Sequence, residues 1–396
     1  MSQLRLYRFC VRVLPLLLLA APLCVRGQGA DKSTDPDTLV LSNGDILHGK
    51  LVQEAGGTVT FHSGPLGDLT VKWANIKSLE TSQVFAVMTP EMKKRNKHAA
   101  LALPKGTIEA SSSLVTLHPE SGATIAPIPT KNAEVIVDAA LLDKQLNHSP
   151  GFLKGWNGAA TAGATVVSAT QDSYAVSGSV GLVRVVPTVT WLDPRNRTSF
   201  DFAGSFGKIT QPSYTSGGVF TPSTSTKSSI LHFDAERDEY FSSRMFGLGQ
   251  AAFDHNYGQD LDLQQIYGGG LGWTVLKTPK QEGDLKATVQ YEKQGFITGT
   301  PSSQNLIGST FAANYLLKLK LVTYTQDVGF IPAYNTPRAY SATETDTFAF
   351  PAYKNLSFSL GTLDSYLNDP PVTAPPTKRN SFQFTMGLTY AIKSKY

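Results

Sequence analysis

Histidine is the natural place to start a search for chemistry, because its unperturbed side chain exchanges a proton near neutral pH. The seven histidines are scattered. None shows the His-x-x-x-His or related spacing that presents two imidazoles to one metal ion. His255-Asn256 comes nearest to hydrolytic machinery, an imidazole to act as general base beside an amide. A nucleophilic serine is wanted next to it, but Tyr257 stands there and no other serine is marked out. No catalytic residue, cofactor or metal site is therefore expected. Gly268-Gly269-Gly270-Leu271-Gly272 lacks the following helix of a phosphate-binding loop and reads as a strand feature that allows close packing.

A second group of polar residues has a regular spacing. Asp234, Glu236 and Asp238 recur at every second position, which puts them on one face of an extended strand, and Lys286 and Glu292 occupy similar positions in another stretch. If that face is enclosed, these charges form either a constriction that selects cations or a plug of salt bridges filling a narrow interior. The plug is favoured, since a small barrel is nearly filled by its own side chains. Which applies depends on the elements that carry the charges.

Those elements follow an export signal. Arg5, Arg8 and Arg12 precede an apolar run from Val13 to Val25, and small residues stand near Gly27 and Ala30. This is the order of a secretory signal peptide, with cleavage expected after Gly27 or Ala30. Leu23 before Cys24 disfavours a lipoprotein. The run contains Pro15 and Pro22 and is too short to span a bilayer as a helix. Cleavage would remove Cys10 and Cys24, both cysteines of the chain, which excludes disulfides and thiol chemistry. It would also remove Arg5, Arg8, Arg12 and Arg26, leaving 35 − 4 = 31 basic against 31 acidic residues. The basic balance therefore belongs to targeting, and no nucleic-acid partner is expected.

The remaining chain is rich in strand formers, with 15 Tyr, 20 Phe and 34 Gly. Residues 37–82 read as short strands around Asn43-Gly44 and Gly56-Gly57 turns, a small β-barrel-like domain of SH3 size. Residues 83–148 read as a possible second β-module, with the basic run Met92–His98 as linker. A faint repeat bears on this: it marks either two copies of one module or two β-hairpins that merely look alike. Val59-Thr60-Phe61-His62-Ser63 resembles Val115-Thr116-Leu117-His118-Pro119, and Gly44-Asp45-Ile46 parallels Gly106-Thr107-Ile108. The helix-compatible stretch Asp138–Gln145 leads to a polar hinge at 147–151.

From Trp156 onward the chain repeats segments of about ten alternating residues, each closed by a turn. Phe382, Phe384, Met386, Leu388, Tyr390 and Ile392 share one parity; Gln383, Thr385, Gly387, Thr389 and Ala391 share the other. Leu261, Leu263, Tyr267, Leu271 and Trp273 likewise oppose Gly268, Gly270 and Gly272. In a soluble sandwich the large apolar face points inward. In a transmembrane barrel it faces lipid, and about 9–11 residues cross the apolar band. Aromatics near segment ends, such as Tyr240, Phe241 and Tyr353, fit interfacial girdles. The pattern predicts an all-β fold: an antiparallel up-and-down barrel of about twelve strands over residues 152–396, with the long connections 210–227, 295–304 and 367–378 all at one end. Glu344 and Asp346 share a parity with Phe348 and Phe350, which suggests a bulge or a shifted strand there.

Gly155-Trp156-Asn157-Gly158, Asp260-Leu261-Asp262-Leu263, Thr325-Gln326-Asp327 and the ending Gly387-Leu388-Thr389-Tyr390 resemble the YdiY-like family of salt-induced outer-membrane proteins. The resemblance covers roughly residues 152–396. It implies an outer-membrane barrel and supplies no reaction or substrate. The expected partners are outer-membrane lipid, the barrel-assembly machinery through the C-terminal strand ending in Tyr396, and periplasmic partners of the N-terminal region. The expected role is structural or weakly conducting. A twelve-stranded barrel also invites comparison with outer-membrane phospholipase, which needs a lipid-facing His near a Ser and an Asn; His255 lacks the serine. The alternative is a soluble secreted β-sandwich that binds carbohydrate or a partner.

Overall fold

The computed structural model describes residues 36–90, 103–148, 150–168, 172–216, 219–298, 301–370 and 379–394. The expected signal segment, the run Met92–His98 and Tyr396 lie outside them.

The N-terminal strands are β1 (Asp37–Leu41), β2 (Ile46–Ala55), β3 (Thr58–Ser63), β4 (Gly67–Lys72), β5 (Ile76–Glu80), β6 (Phe85–Met88), β7 (Lys105–Ser111), β8 (Leu114–His118), β9 (Ile128–Pro129) and β10 (Val135–Asp138). Pairings β1–β5, β5–β7, β7–β6, β6–β10, β10–β2 and β2–β1 close a ring. β3 and β4 extend it from β2, and β8 and β9 extend it from β7. Each half follows the same order of four strands, a 3-10 turn (Trp73–Asn75 or Thr130–Asn132) and a fifth strand.

The faint repeat is therefore two copies of one unit, but not two modules. Segments 37–82 and 83–148 lend strands to a single sheet and share one core. Leu39, Phe61, Ile76 and Leu79 of the first pack with Phe85, Ile108, Leu117 and Ile136 of the second. Neither copy closes its ring without the other, which is the physical reason the two-module division fails. The structural partner of Gly106 is Gly49, not Gly44. Both glycines lie beside the histidine-bearing strand, where a Cβ on Gly49 would meet the His62 carbonyl oxygen at 2.0 Å and one on Gly106 the His118 carbonyl at 2.7 Å. A register shift between Leu51 and Gln53 accounts for the extra residue between Gly49 and His62.

Helix α1 (Ala139–Asn147) is capped by Asp138, whose carboxylate accepts from Leu141 N at 2.8 Å. Its buried Leu142 and Leu146 pack with Trp191 from the barrel connection 187–195. Arg195 Nη1 donates to the Leu146 carbonyl at 2.7 Å, and Gln145 bonds the Thr188 hydroxyl and amide.

The C-terminal strands are β11 (Trp156–Ser168), β12 (Asp172–Val186), β13 (Asn196–Gln211), β16 (Thr224–Tyr240), β17 (Met245–Asn256), β18 (Leu261–Lys277), β19 (Gln281–Phe296), β20 (Ser303–Lys318), β21 (Thr323–Ile331), β22 (Ser341–Tyr353), β23 (Leu356–Leu367) and β24 (Asn380–Ile392). They form a closed antiparallel barrel of twelve strands, with a small hairpin, β14 (Tyr214–Ser216) and β15 (Val219–Thr221), in the connection after β13. β24 pairs back to β11, where Thr161 and Thr389 hydroxyls meet at 2.8 Å. Closure leaves no unpaired strand edge in hydrocarbon. The strand ends that border the connections 212–223, 297–302, 332–340 and 368–379 all lie at the end away from the N-terminal domain.

The outer face is the apolar one. Phe382 is 63% exposed and Val289 63%, with Phe311, Leu271 and Met386 also above half. This arrangement excludes a sandwich, whose large residues would be inside. Two sequence expectations need correction. Leu261 is buried rather than outward, because register shifts on both sides of β18 turn it in. No bulge or shifted strand hides Glu344 and Asp346: the β21–β22 register is unbroken, and both lie on the outer face. Their charges are met instead by hydrogen bonds from Gln326 (2.9 Å) and Tyr324 (2.6 Å).

Candidate functional site: the inner wall of the barrel

Alternation sends the other parity inward, and its polar groups collect on one side. β16 turns His232, Asp234, Glu236 and Asp238 into the lumen, and β19 turns in Asp284, Lys286, Thr288, Gln290, Glu292 and Gln294. The two strands are separated by β17 and β18. Side chains meet between them because β18 presents Gly268, Gly270 and Gly272 to the lumen. A Cβ on Gly272 would strike the Phe246 ring at 2.2 Å, so the glycine makes the bed for that buried ring.

Arg197, inward from β13, crosses above this bed. Its Nε donates to Asp238 Oδ2 at 2.6 Å, and its Nη1 lies 2.7 Å from Asp284 Oδ2 and 3.4 Å from Glu282 Oε1. The guanidinium stands 5.1 Å from the Phe246 ring centroid. A second tie runs from Lys286 Nζ to both oxygens of Glu236, at 2.6 and 2.8 Å. Toward the far end the network turns from ion pairs to amides. Glu292 Oε1 accepts from Gln264 and from Gln294, both at 2.5 Å, and Gln294 accepts in turn from Gln304. His232 Nδ1 and Asp254 Oδ1 are 2.5 Å apart. The opposite wall, from β23 and β24 through β11, presents Ser359, Gly361, Thr385, Gly387, Thr389 and Thr161, which are small or hydroxylic.

All five lumen charges read from the sequence face inward. Glu236, Asp238 and Lys286 are brought into the two ties, and Glu292 into the amide chain. Asp234 sits directly opposite Asp201 of β13. Sequence reasoning missed Arg197, Asp284 and Phe246. Parity along β13 marks Arg197 as inward, yet no pattern within one strand says which strands its guanidinium will reach. Among the described residues no group of three or more His, Cys, Asp or Glu is placed to hold a metal ion.

His255 has a different place. It shares the outward parity with Phe253, and its Nε2 lies 2.8 Å from the Ser229 hydroxyl of the neighbouring strand. Ser229 is the serine the sequence did not mark, because it precedes His255 by 26 residues and only the β16–β17 register joins them.

A closed twelve-stranded barrel, apolar outside and polar inside, belongs to the class of transmembrane β-barrels. The chain belongs to the family described as "Protein of unknown function, DUF481", whose model matches residues 160–392, the barrel without the N-terminal domain. No curated relative matches. Among solved structures, the chain is similar to the NanC porin (7% identity, 59% of this chain and 100% of that one, TM-score 0.34). It is also similar to the COG4313 outer membrane channel from Pseudomonas putida F1 (11% identity, 62% and 99%, TM-score 0.32). A third is the outer membrane channel DcaP of Acinetobacter baumannii (8% identity, 60% and 96%, TM-score 0.25). Likeness at this level carries no argument about pore or solute.

Proposed function

We propose that the protein is an outer-membrane barrel with its N-terminal domain in the periplasm, narrowed by its own ion pairs to a weak, cation-preferring conductance. The observation that carries this reading is the pair of ties inside the lumen, Arg197 to Asp238 and Asp284, and Lys286 to Glu236. They fill the space over the glycine bed. Along this wall carboxylates (Asp201, Asp234, Glu236, Asp238, Asp284, Glu292) outnumber the cations Arg197 and Lys286, so the field inside favours positive ions. In this reading the route past the ties runs along the hydroxyl-lined opposite wall. The longer connections at the end away from the N-terminal domain suit an extracellular surface. The YdiY-like resemblance supports a salt-linked envelope role.

Planar-bilayer recording tests this. A small conductance whose reversal potential in a salt gradient shows cation preference is expected. Anion preference, or an open pore of porin size in the unaltered protein, would contradict it.

A further inference from the structure

The outer rim carries an arrangement that a structural or conducting role does not use. Ser229 Oγ lies 2.8 Å from His255 Nε2, and His255 Nδ1 lies 2.7 Å from the Asp262 backbone carbonyl. A carbonyl only accepts, so Nδ1 carries the proton, and Nε2 presents its lone pair to the serine hydroxyl. Nucleophile, base and orienting acceptor are therefore in line. The irregular backbone here serves this arrangement. Register shifts fall between Asp254 and Asn256 on β17–β18 and between Leu261 and Leu263 on β18–β19, so His255, still paired to Leu231 of β16, and Asp262 drop out of the β17–β18 pairing and bond each other. Bulges that re-aim a side chain gather beside active sites.

The surroundings suggest a substrate. Ser229 shares the outward face of β16 with Leu231, and Phe206 of β13 stands directly opposite Ser229. Leu231, Phe206 and Leu263 are all exposed apolar side chains. Lys208 and Lys227 face each other across the same two strands, two positions beyond Ser229 toward the far rim. Hydrocarbon contact on one side of a nucleophile and paired cations on the other match an acyl ester joined to a phosphate.

We propose that Ser229 and His255 form a hydrolase site on the outside of the barrel that cleaves acyl esters of glycerophospholipids. The lipid substrate rests on the outward face meeting the bilayer, as in the function proposed above. In the reaction Ser229 Oγ attacks the ester carbonyl carbon while its proton passes to His255 Nε2. The tetrahedral intermediate expels the lysolipid alkoxide, which takes that proton, and leaves an acyl-serine. Water then attacks the acyl carbon and gives a proton to Nε2. The acyl–Oγ bond breaks, Oγ recovers the proton, and a fatty acid leaves. Lys208 and Lys227 place positive charge on the face where the oxyanion forms.

The test uses the full-length protein, with fold confirmed by a mobility difference between unboiled and boiled samples. Three probes are applied: phosphatidylethanolamine vesicles with a fluorescent acyl chain, the soluble ester p-nitrophenyl butyrate, and hexadecanesulfonyl fluoride. Fatty-acid release, ester cleavage and a sulfonyl adduct mapped to Ser229 are expected. All three should fall roughly 100-fold or more in Ser229→Ala and His255→Ala while the folded mobility remains. Ester cleavage and a Ser229 adduct without phospholipid hydrolysis would overturn the lipid substrate. No adduct at Ser229 in folded protein, or hydrolysis that survives Ser229→Ala, would overturn the site. Ester cleavage by protein that fails to insert into vesicles would contradict the membrane reading instead, and leave the serine–histidine pair standing.

Discussion

Replacing Arg197 with alanine removes the one partner that two enclosed carboxylates share among the described residues. The Asp238 side chain is 1% exposed and that of Asp284 5%. Among the described residues, Oδ1 of each already has no hydrogen-bond partner. Removing one side of a buried ion pair costs about 3–5 kcal/mol, because the remaining charge stays desolvated. Here two carboxylates are left, which sets the upper part of that range; water entering the vacated space lowers it. Urea unfolding of vesicle-inserted protein should therefore give a loss of about 3–5 kcal/mol, with an increase in single-channel conductance from the same vacancy. Adding Asp238→Asn removes a stranded charge, so the double variant should recover roughly 1–3 kcal/mol. A loss under about 1 kcal/mol together with unchanged conductance would refute the idea that Arg197 spans and narrows the lumen.

The glycine bed makes a second prediction. Gly272→Val should abolish the heat-modifiable folded band, since its first carbon would sit 2.2 Å from the Phe246 ring, and Phe246→Ala should restore the band. In the N-terminal domain, burial pushes the Glu54 carboxyl up to about 7 from the usual 4.5, with Glu134 adding to the rise and the Gly57 amide opposing it. The folded pKa is above the unfolded one, so stability is greatest below pH 4.5 and falls as pH rises to about 7, by roughly 3 kcal/mol in all. Hydrogen exchange at β2 and β10, corrected for intrinsic rates, should show this slope, and Glu54→Gln should flatten it. On β24, Phe384→Lys should destabilise the inserted barrel by about 2–4 kcal/mol, while Gln383→Lys on the inner face should cost less than about 1 kcal/mol.

Alternation makes the barrel legible in the sequence itself. Strands at Phe382–Ile392 or Leu285–Tyr291 show a period of two over their whole length, and hydrocarbon outside makes that period strict. The bulges were hidden, because Leu261 keeps the parity of Leu263 in sequence while the chain between them is out of register. The N-terminal ring was only half legible for a related reason. Local patterns revealed the Val59–Phe61 and Val115–Leu117 strands, but strand exchange between repeats is a matter of long-range pairing. The inner charges could be listed from parity alone, whereas the partners of Arg197 and the Ser229–His255 contact depend on registers between strands. Those registers are set by turn lengths and packing that no single segment records.

The central claim is that the apolar parity of each strand meets lipid and the other parity faces an enclosed interior. Single spin labels at consecutive positions 382–391, in protein inserted into vesicles, read this directly through collision with oxygen, which concentrates in hydrocarbon, and with a water-soluble nickel chelate. Oxygen accessibility should peak at 382, 384, 386, 388 and 390 and drop at each position between. A flat profile, or oxygen maxima at 383, 385, 387 and 389, would contradict the account.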